Sequence, residues 1–307
     1  MVKTAFLFPG QGAQFAGMGR DFYDRFPQAR SVFDRTAQVL GADFLEVIFS
    51  GPEEKLQQTE YTQPAILTVS VAINRVLESF GCKAAGLAGL SLGEYSALVA
   101  AGSIAFEDAL PLVQKRGIYM QEAVPFGRGK MVAIMGLSHE TVEQICHESL
   151  IKGLVAPANY NCPGQVVISG LLPAVEEAAA RAHKAGAKKI TELKVSAPFH
   201  CALLQPVEER LAGELDQIEI KKPSIPVVFN VSAEFAEEPE QIRTNLVRQV
   251  SSPILWEQSI RTLIGSGIKV FFGLGPGNSL SRLMKRIAPE LRTVSVENVE
   301  AVESMLD

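Results

Sequence analysis

The sequence predicts an α/β protein whose main sheet is mostly parallel and is covered by helices on both faces. Short runs of β-branched or aromatic residues alternate with longer amphipathic stretches along most of the 307 residues. This alternation is typical of parallel strands joined by crossover helices. Hydrophobic residues make up 47% of the chain and charged residues 21%, as expected of a folded protein with a sizeable core. The length alone allows one large domain or two moderate ones.

Five short runs are predicted to form the strands of the main sheet. They cover residues 4–8, 84–89, 227–229, 269–272 and 293–296. The predicted helices of the same domain cover residues 28–40, 63–80, 94–101, 106–122, 203–215 and 279–287. The acidic run at residues 234–240 is expected to be a solvated loop that leads into a helix.

The order of elements changes between residues 127 and 196. The pattern there predicts a strand, a helix opened by Ser138 and Glu140, two closely spaced strands, a second helix and a last strand. The four strands cover residues 131–135, 154–159, 165–169 and 188–193. The first helix starts after residue 138, and the second helix covers residues 174–184. The βαββαβ order is that of a ferredoxin-like domain. We therefore predict a small ferredoxin-like domain at 127–196, inserted into a large domain of residues 1–126 and 197–307, with glycine-rich 127–129 and Pro198 as hinges.

Charge and cysteine content exclude several classes of protein. The chain has 29 basic and 34 acidic residues, a net charge of −5, so it lacks the basic excess of a nucleic-acid-binding protein. Four cysteines without a CxxC pair predict neither a disulfide scaffold nor a metal site. The first apolar run ends at Pro9, too early for a secretory signal, and no stretch reaches the ~20 apolar residues of a membrane span. A cytoplasmic protein without membrane contact is expected.

The string Gly-Leu-Ser-Leu-Gly at residues 89–93 matches the GxSxG pattern of a nucleophilic serine. It follows a predicted strand and precedes a predicted helix, which is the context that this motif requires. There the turn exposes Ser91 Oγ, the flanking glycines leave room for neighbouring backbone, and the helix N-terminus favours developing negative charge. A serine that merely caps a turn is the alternative. The context favours a nucleophile on an α/β-hydrolase-like large domain.

A nucleophilic serine needs a base, and the chain contains four histidines. His139, His147 and His183 stand among polar and charged residues of the predicted small domain, and we expect them at the surface. His200 lies in an uncharged stretch where the chain re-enters the large domain. It is therefore the predicted base, with a hydrogen-bonded core histidine as the alternative.

No acidic residue is an obvious third member of a triad. In α/β hydrolases an Asp or Glu precedes a histidine near the C-terminus, whereas a long segment follows His200 and Asp108 is better explained as a first-turn acid. A backbone carbonyl could orient the imidazole instead. This departure argues against a simple esterase.

The residues alone leave the roles of two further features undecided. The glycine-rich turn at 8–14 can present N–H groups to an oxyanion or be a plain tight turn, and Phe15 breaks the GxGxxG dinucleotide pattern. Arg116 lies on a predicted helix that is apolar on one side. It is either a surface residue whose stem covers apolar area or a buried clamp for a carboxylate.

Six motifs, in order, resemble those of the malonyl-CoA:acyl carrier protein transacylases. They are FPGQGAQ at 8–14, GLSLGE at 89–94, QKRG at 114–117, NCPGQVVISG at 161–170, PFH at 198–200 and GPGN at 275–278. The resemblance covers nearly the whole chain, including an insert of the family's kind. One departure is Leu90, where many members carry a histidine that the mechanism does not require.

The resemblance implies a role for each residue of a Ser–His site. Ser91 would be the nucleophile and His200 its base. The main-chain N–H groups of Gln11 and Leu92 would form the oxyanion hole, and Arg116 would bind the malonyl carboxylate.

Two more positions complete the implied site. Gln249 matches the position whose backbone carbonyl orients the histidine, which would explain the missing acid. Phe199 is similar to the residue of malonyl-selective members, where a bulky ring crowds an α-methyl substituent. Excluding one methyl group is worth only ~1 to 3 kcal/mol, so discrimination against methylmalonyl would be finite.

The implied reaction is ping-pong transfer of malonyl from malonyl-CoA, through malonyl-Ser91, to the phosphopantetheine thiol of acyl carrier protein. It would serve fatty-acid or polyketide chain extension, without a cofactor of the enzyme's own and in a monomer. An acidic carrier protein would be guided by basic residues near the cleft, although ordinary solubilising charge explains them equally well. The candidates are Lys184, Lys188, Lys189, Arg282, Lys285 and Arg286.

Three alternatives remain at this point. The chain could be a serine hydrolase or thioesterase that releases the acyl group to water, or a polyketide acyltransferase that uses another extender unit. It could also be an inactive relative that serves only to dock a carrier protein.

Overall fold

A computed structural model describes residues 2–125, 127–193, 195 and 197–306, with a six-stranded and a four-stranded sheet. The strands are β1 (Thr4–Phe8), β2 (Gly86–Gly89), β3 (Gly129–Met135), β4 (Val155–Cys162), β5 (Gln165–Leu171), β6 (Lys189–Glu192), β7 (Val227–Val228), β8 (Phe235–Ala236), β9 (Val270–Leu274) and β10 (Arg292–Val296). The helices are α1 (Arg20–Arg25), α2 (Pro27–Leu40), α3 (Ala42–Ser50), α4 (Glu53–Leu56), α5 (Thr59–Ser79), α6 (Gly93–Ala100), α7 (Phe106–Glu122), α8 (His139–Ser149), α9 (Leu172–Lys184), α10 (Gln205–Leu215), α11 (Pro239–Gln249), α12 (Trp256–Gly265), α13 (Ser279–Ile287) and α14 (Val299–Leu306).

The main sheet has the strand order β10-β9-β1-β2-β7-β8 and is parallel except for β8. Side chains of β1 alternate between two cores, as the two-residue period of a strand requires. Phe6 and Phe8 belong to the larger core, which includes apolar residues of α5, α6 and α7. Ala5 and Leu7 belong to a second core with apolar residues of α12 and α13. Both faces of the sheet are therefore covered, and the predicted α/β class is confirmed.

The carboxyl ends of the parallel strands lie at one edge of this sheet. Chain segments that leave β1, β2, β7 and β9 therefore start next to one another, and ligand sites of open α/β sheets form at such an edge. Gln11 follows β1, Ser91 follows β2 and Asn230 follows β7. The topology alone brings three distant parts of the chain to one place.

The four-stranded sheet has the order β4-β5-β3-β6 and is antiparallel, which confirms the predicted βαββαβ unit. One face packs on α8 and α9, with Val132 and Ile168 in that core. The other face adds Met131 and Val167 to the core of the large sheet. The segment before α12 also pairs with β4, because Ile254 N–H donates to the Ala158 carbonyl at 2.8 Å. The small sheet is thus anchored by packing and by backbone hydrogen bonds.

The exact limits of the two domains stay a prediction. The small sheet extends from β3 to β6, within the predicted 127–196 segment. Of the predicted boundary residues, Phe126 and Ser196 lie outside the described part of the chain. Gly127 has a φ of 76°, in the left-handed region that glycine adopts freely.

Several elements differ from the sequence prediction. The acidic run at 234–240 is not only a loop, because Phe235–Ala236 forms β8 and pairs with β7, and Ala236 is buried. Helix α5 begins at Thr59, before the predicted start at residue 63, and therefore contains Pro64 in its interior. The sequence prediction lacks helices α1, α3, α4 and α12. For α1 and α4 the reason is their length, since helices of six and four residues carry little periodic signal. None of the helices in the described residues combines the length and apolarity needed to cross a bilayer.

Candidate active site

Ser91 lies on a tight turn between β2 and α6. Its φ of 52° is in the left-handed region, which a non-glycine residue adopts at an energetic cost. Glycines make the turn possible. A Cβ atom on Gly89 would overlap the backbone of Gly93, and one on Gly93 would overlap the carbonyl of Phe8. The GxSxG context predicted from sequence is therefore present, and the close backbone approaches explain both glycines.

His200 lies within hydrogen-bonding distance of Ser91, with 2.8 Å between His200 Nε2 and Ser91 Oγ. The other ring nitrogen, Nδ1, is 2.9 Å from the backbone carbonyl of Gln249. A carbonyl oxygen can only accept a hydrogen bond, so Nδ1 carries the proton and Nε2 is left as the acceptor for the serine hydroxyl. A carbonyl thus orients the imidazole in the place where a triad would have a carboxylate.

The environment keeps this imidazole neutral. Burial, and after it the Arg116 charge, lower the pKa of His200 from 6.5 to about 3, although the hydrogen bond to Gln249 acts in the opposite direction. The side chain is buried, and its φ of 59° lies in the left-handed region like that of Ser91. A neutral histidine is the form that a general base requires.

Arg116 is buried on α7, with 1% of its surface exposed. Its burial excludes the surface alternative left open by the sequence. Nη1 donates to Gln63 Oε1 at 2.8 Å, while Nη2 donates to Gln249 Oε1 at 2.8 Å and to Ser91 Oγ at 3.2 Å. None of these acceptors is a carboxylate. A buried guanidinium held by neutral acceptors beside a nucleophile keeps its capacity for an anionic ligand.

A cleft of about 150 Å³ separates the two sheets at this point. The large domain contributes Ser91, His200 and Arg116 to its lining, and the small sheet contributes Met131 and Val167. The other predicted residues Gln11, Leu92 and Phe199 also line the cleft. Gln249 is completely buried behind His200. The structure therefore brings together all seven residues proposed from sequence.

Sequence reasoning missed two polar residues of this centre. Gln63 on α5 is buried and accepts from Arg116. Asn230 follows β7 and hydrogen bonds to the turn that carries Ser91. A polar residue in the mostly apolar helix α5 and an asparagine directly after a predicted strand were the available signals. Neither indicates a partner, because both contacts join distant segments.

The expectation that three histidines lie at the surface is correct for two of them. His147 and His183 are exposed, whereas the His139 side chain is only 21% exposed, so the prediction for it is wrong. Its ring packs edge-on against Tyr160, with 5.2 Å between centroids, and its Nε2 lies 3.7 Å from Glu257 Oε2. This contact between α8, β4 and α12 arises only when the small domain meets the large one.

The cysteines and the acidic residues that the structure describes do not cluster as metal ligands would. In the ranges that the structure describes, no group of three or more His, Cys, Asp or Glu side chains could hold a metal ion. All four cysteines are free thiols. Burial raises the pKa of the Cys146 thiol to about 12 and that of Cys162 to about 11, which disfavours the thiolate that a metal ligand or nucleophile needs.

Comparison with known proteins agrees with this geometry. Residues 5–304 match the model of a family described as acyl transferase domain. The chain is 44% identical over 304 residues to the malonyl CoA-acyl carrier protein transacylase of Bacillus subtilis, covering 99% of this chain and 96% of that protein.

Solved structures give the same result. An acyl carrier protein S-malonyltransferase from Vibrio cholerae superposes with a TM-score of 0.96 at 42% identity, covering 99% of each chain. A malonyl-transacylase solved in complex with its type II PKS acyl-carrier protein superposes with a TM-score of 0.97 at 43% identity, again over 99% of each chain.

The depressed pKa of His200 predicts an unusual pH profile for reaction at Ser91. The base form is present above the folded pKa of about 3, so the rate of Ser91 acylation should vary less than about threefold between roughly pH 5 and pH 8. Single-turnover acylation at substrate concentrations well below saturation, which reports the pKa of the free protein, is followed by mass spectrometry across this range. A sigmoidal loss centred on the ordinary histidine value of 6.5 would contradict the assignment, and circular dichroism at each pH controls for unfolding.

Proposed function

The chain belongs to the acyl transferase domain family, and we propose that it transfers malonyl groups from malonyl-CoA to the phosphopantetheine thiol of acyl carrier protein. One observation carries this proposal. The guanidinium of Arg116 lies 3.2 Å from Ser91 Oγ, beside the Ser91–His200 pair. An acyl thioester attacked by this serine would therefore place a carboxylate on its far carbon next to the guanidinium. The names of the relatives describe the same substrate and acceptor.

The first half-reaction acylates the enzyme. His200 Nε2 takes the hydroxyl proton of Ser91 as Oγ attacks the thioester carbonyl, which forms a tetrahedral oxyanion. The intermediate collapses with cleavage of the C–S bond. The proton passes from His200 to the departing sulfur, so coenzyme A leaves as a thiol and malonyl-Ser91 remains.

The second half-reaction follows the reverse route with a different thiol. His200 removes the proton of the phosphopantetheine thiol, and the sulfur attacks the ester carbonyl of malonyl-Ser91. Collapse of the second tetrahedral intermediate breaks the bond to Ser91 Oγ, which regains its proton from His200. The overall reaction exchanges one thioester for another through an oxygen ester on Ser91, so the proposed steps use no oxidant, metal or organic cofactor.

The oxyanion is assigned to backbone donors. Gln11, after β1, and Leu92, immediately before α6, line the cleft next to Ser91, and the N–H groups of these residues form the proposed oxyanion hole. The N-terminus of α6 adds its positive dipole end at the same place. Loss of one such donor typically costs ~10²- to 10³-fold in rate.

Substrate selection is assigned to Arg116 and Phe199. Among the described residues, the acceptors of hydrogen bonds from Arg116 are the neutral side chains of Gln63, Ser91 and Gln249, so a malonyl carboxylate can supply a negative charge. Because the Arg116 charge lowers the pKa of His200, a bound carboxylate should also make His200 a stronger base. Phe199 lines the cleft and is buried, where its ring would crowd a branched acyl group.

The surface proposed to bind carrier protein lies beside the small-sheet hairpin. Lys189 on β6 and Gln165 on β5 both pair with Met135 on β3. Arg286 lies at the same place, because its Nη1 donates to Gln165 Oε1 at 2.9 Å. Lys188 packs against Gly136. These cations, together with exposed Arg282 and Lys285, form the proposed basic lip, near the Asn161 side of the cleft. Lys184 lies instead on the surface of α8 and α9, beside Glu148 and Arg181. An acidic carrier protein would be steered to such a surface. Action on soluble carrier protein fits the proposed cytoplasmic location.

The proposed function is tested by mass spectrometry after incubation with malonyl-CoA. A malonyl adduct should form on the peptide that contains Ser91, persist in buffer, and disappear on addition of carrier protein as malonyl-carrier protein accumulates. Ser91→Ala should give no adduct. If the adduct decays as fast in buffer as with carrier protein, the chain is a hydrolase. Stronger labelling by other acyl-CoAs than by malonyl-CoA would favour another extender unit. Absence of any labelling would favour a docking module.

Arg116→Ala should separate malonyl from acetyl transfer. We expect kcat/KM for malonyl-CoA to fall about 10²-fold or more, because a buried charge-assisted contact to the carboxylate is lost. Transfer from acetyl-CoA should persist or increase, since an uncompensated buried cation is removed. Lys115→Ala is the matched control, because Lys115 is on the same helix but pairs at the surface with Glu214. Equal loss with both donors would contradict the clamp assignment.

Charge reversal at the basic lip should weaken the second half-reaction selectively. For Lys188→Glu with Lys189→Glu, we expect the KM for carrier protein to rise roughly tenfold at low salt, and the difference to shrink at high salt. The rate of Ser91 acylation by malonyl-CoA is the internal reference. Lys221→Glu with Lys222→Glu is the matched control, because this exposed pair precedes β7 and so lies toward the opposite edge of the sheet. An unchanged KM would remove the basic lip from carrier-protein recognition.

A further inference from the structure

The geometry points to Asn230 as a positioning residue that fixes the backbone of the nucleophile. This inference rests on the proposed acyl transfer at Ser91 and adds a residue to it. Asn230 follows β7, in a segment 139 positions along the chain from Ser91. It is completely buried, and no side-chain atom of it needs to contact the substrate for the proposed role.

The side-chain amide of Asn230 spans the turn that carries Ser91. Its Oδ1 accepts from the Ser91 N–H at 2.7 Å, and its Nδ2 donates to the Gly89 carbonyl at 2.7 Å. One end of the turn offers a donor and the other an acceptor, and a primary amide of this size satisfies both at once at any pH. The amide therefore replaces the backbone partners that this left-handed turn cannot supply by itself.

Asn230 is itself held by its backbone. Its N–H donates to Glu94 Oε2 at 2.6 Å, and its carbonyl accepts from the Leu255 N–H at 2.9 Å. Glu94 lies in the first turn of α6 and is fully buried, and burial raises its pKa to about 8. Glu94 thus ties the segment after β7 to the helix that follows the nucleophile. The amide is presented to the turn from a rigid support.

A second amide holds the other side of the serine backbone. Gln249 Nε2 donates to the Ser91 carbonyl at 3.1 Å and lies 3.5 Å from Asn230 Oδ1. Both backbone polar groups of Ser91 are therefore engaged by buried side chains. This arrangement keeps a residue with a φ of 52° in place, and with it the distance from Oγ to His200. A misplacement of about 1 Å can cost ~10²-fold in rate.

The test uses Asn230→Asp, which keeps the size of the side chain and the acceptor for the Ser91 N–H. When ionised, the introduced carboxyl cannot donate to the Gly89 carbonyl. When protonated, it can. We therefore expect kcat for malonyl transfer to fall about 10²-fold near pH 8 and to recover substantially near pH 5.5, with KM for malonyl-CoA changed less than about twofold.

The wild-type chain is the reference for the pH response of Asn230→Asp. The charged and titratable groups nearest the substitution are Glu94 on α6 and, through Gln249, Arg116 on α7 and His200. All are present in the wild-type chain, so the ratio of variant to wild-type rate at each pH isolates the introduced carboxyl. Asn230→Ala should lose activity at every pH without recovery. Asn245→Asp, at another buried asparagine on α11, is the control for burying a carboxyl.

A second readout does not depend on malonyl transfer. The rate at which phenylmethylsulfonyl fluoride modifies Ser91 should fall in parallel with kcat in the Asn230 variants and recover at low pH in Asn230→Asp. If wild-type protein transfers no malonyl group, but the Asn230 variants modify Ser91 more slowly and Asn230→Asp recovers at low pH, the proposed function fails and the inference stands. If wild-type protein transfers malonyl and Asn230→Asp matches its rates across the pH range, the inference is overturned.

A measurement on the wild-type chain covers the case in which the variants do not fold. Amide hydrogen exchange followed by NMR should show a strongly protected Ser91 N–H, because Asn230 accepts its hydrogen bond. The Leu92 N–H, proposed to face the oxyanion, should exchange faster. Exchange of Ser91 as fast as that of Leu92 would overturn the inference.

Discussion

The hydrogen bonds of Gln249 hold the catalytic centre together. Its backbone carbonyl accepts from His200 Nδ1, its side-chain oxygen accepts from Arg116, and its side-chain nitrogen donates to the Ser91 carbonyl. One buried residue at the end of α11 therefore sets the tautomer of the base, the position of the cation and one side of the nucleophile. This explains why the centre needs no acidic residue beside the histidine, since a fixed carbonyl dipole orients the ring without adding charge.

The absence of a carboxylate beside His200 has an electrostatic consequence. Arg116 is the buried cation of the centre, His200 is held neutral, and burial favours the neutral form of Glu94. A carboxylate next to the imidazole would pair with Arg116 and compete with an anionic substrate. With neutral amides as its partners, the guanidinium stays available. In the proposed transfer, selection of a charged acyl group and activation of the serine would thus be parts of one arrangement.

The small domain completes the cleft rather than the catalytic pair. Its sheet presents one face to α8 and α9 and the other to the large domain. Met131 and Val167 on the second face line the cleft opposite Ser91, where an apolar wall favours the exclusion of water from a reactive ester. The hydrogen bonds between β4 and the segment before α12 fix this wall to the large domain. The hairpin that ends β4 also brings the basic lip close to the cleft.

The sequence by itself determined the parts that depend on local patterns. These are the α/β class, the βαββαβ insert, the serine turn and, through the resemblance to a family, the residues of the site. Alternation of apolar runs and glycine spacing are properties of short segments, so they can be recognised without knowing which segments they contact.

Tertiary structure decided whether Arg116 is buried, how the side chain of Gln249 is used, that Asn230 reaches the turn, and that His139 lies at a domain contact. The hydrogen bonds from Ser91 to His200, Asn230 and Gln249 join residues 109, 139 and 158 positions apart. No local pattern specifies such contacts, because they form only when the ends of β2, β7 and α11 and the segment after β6 meet in the folded chain.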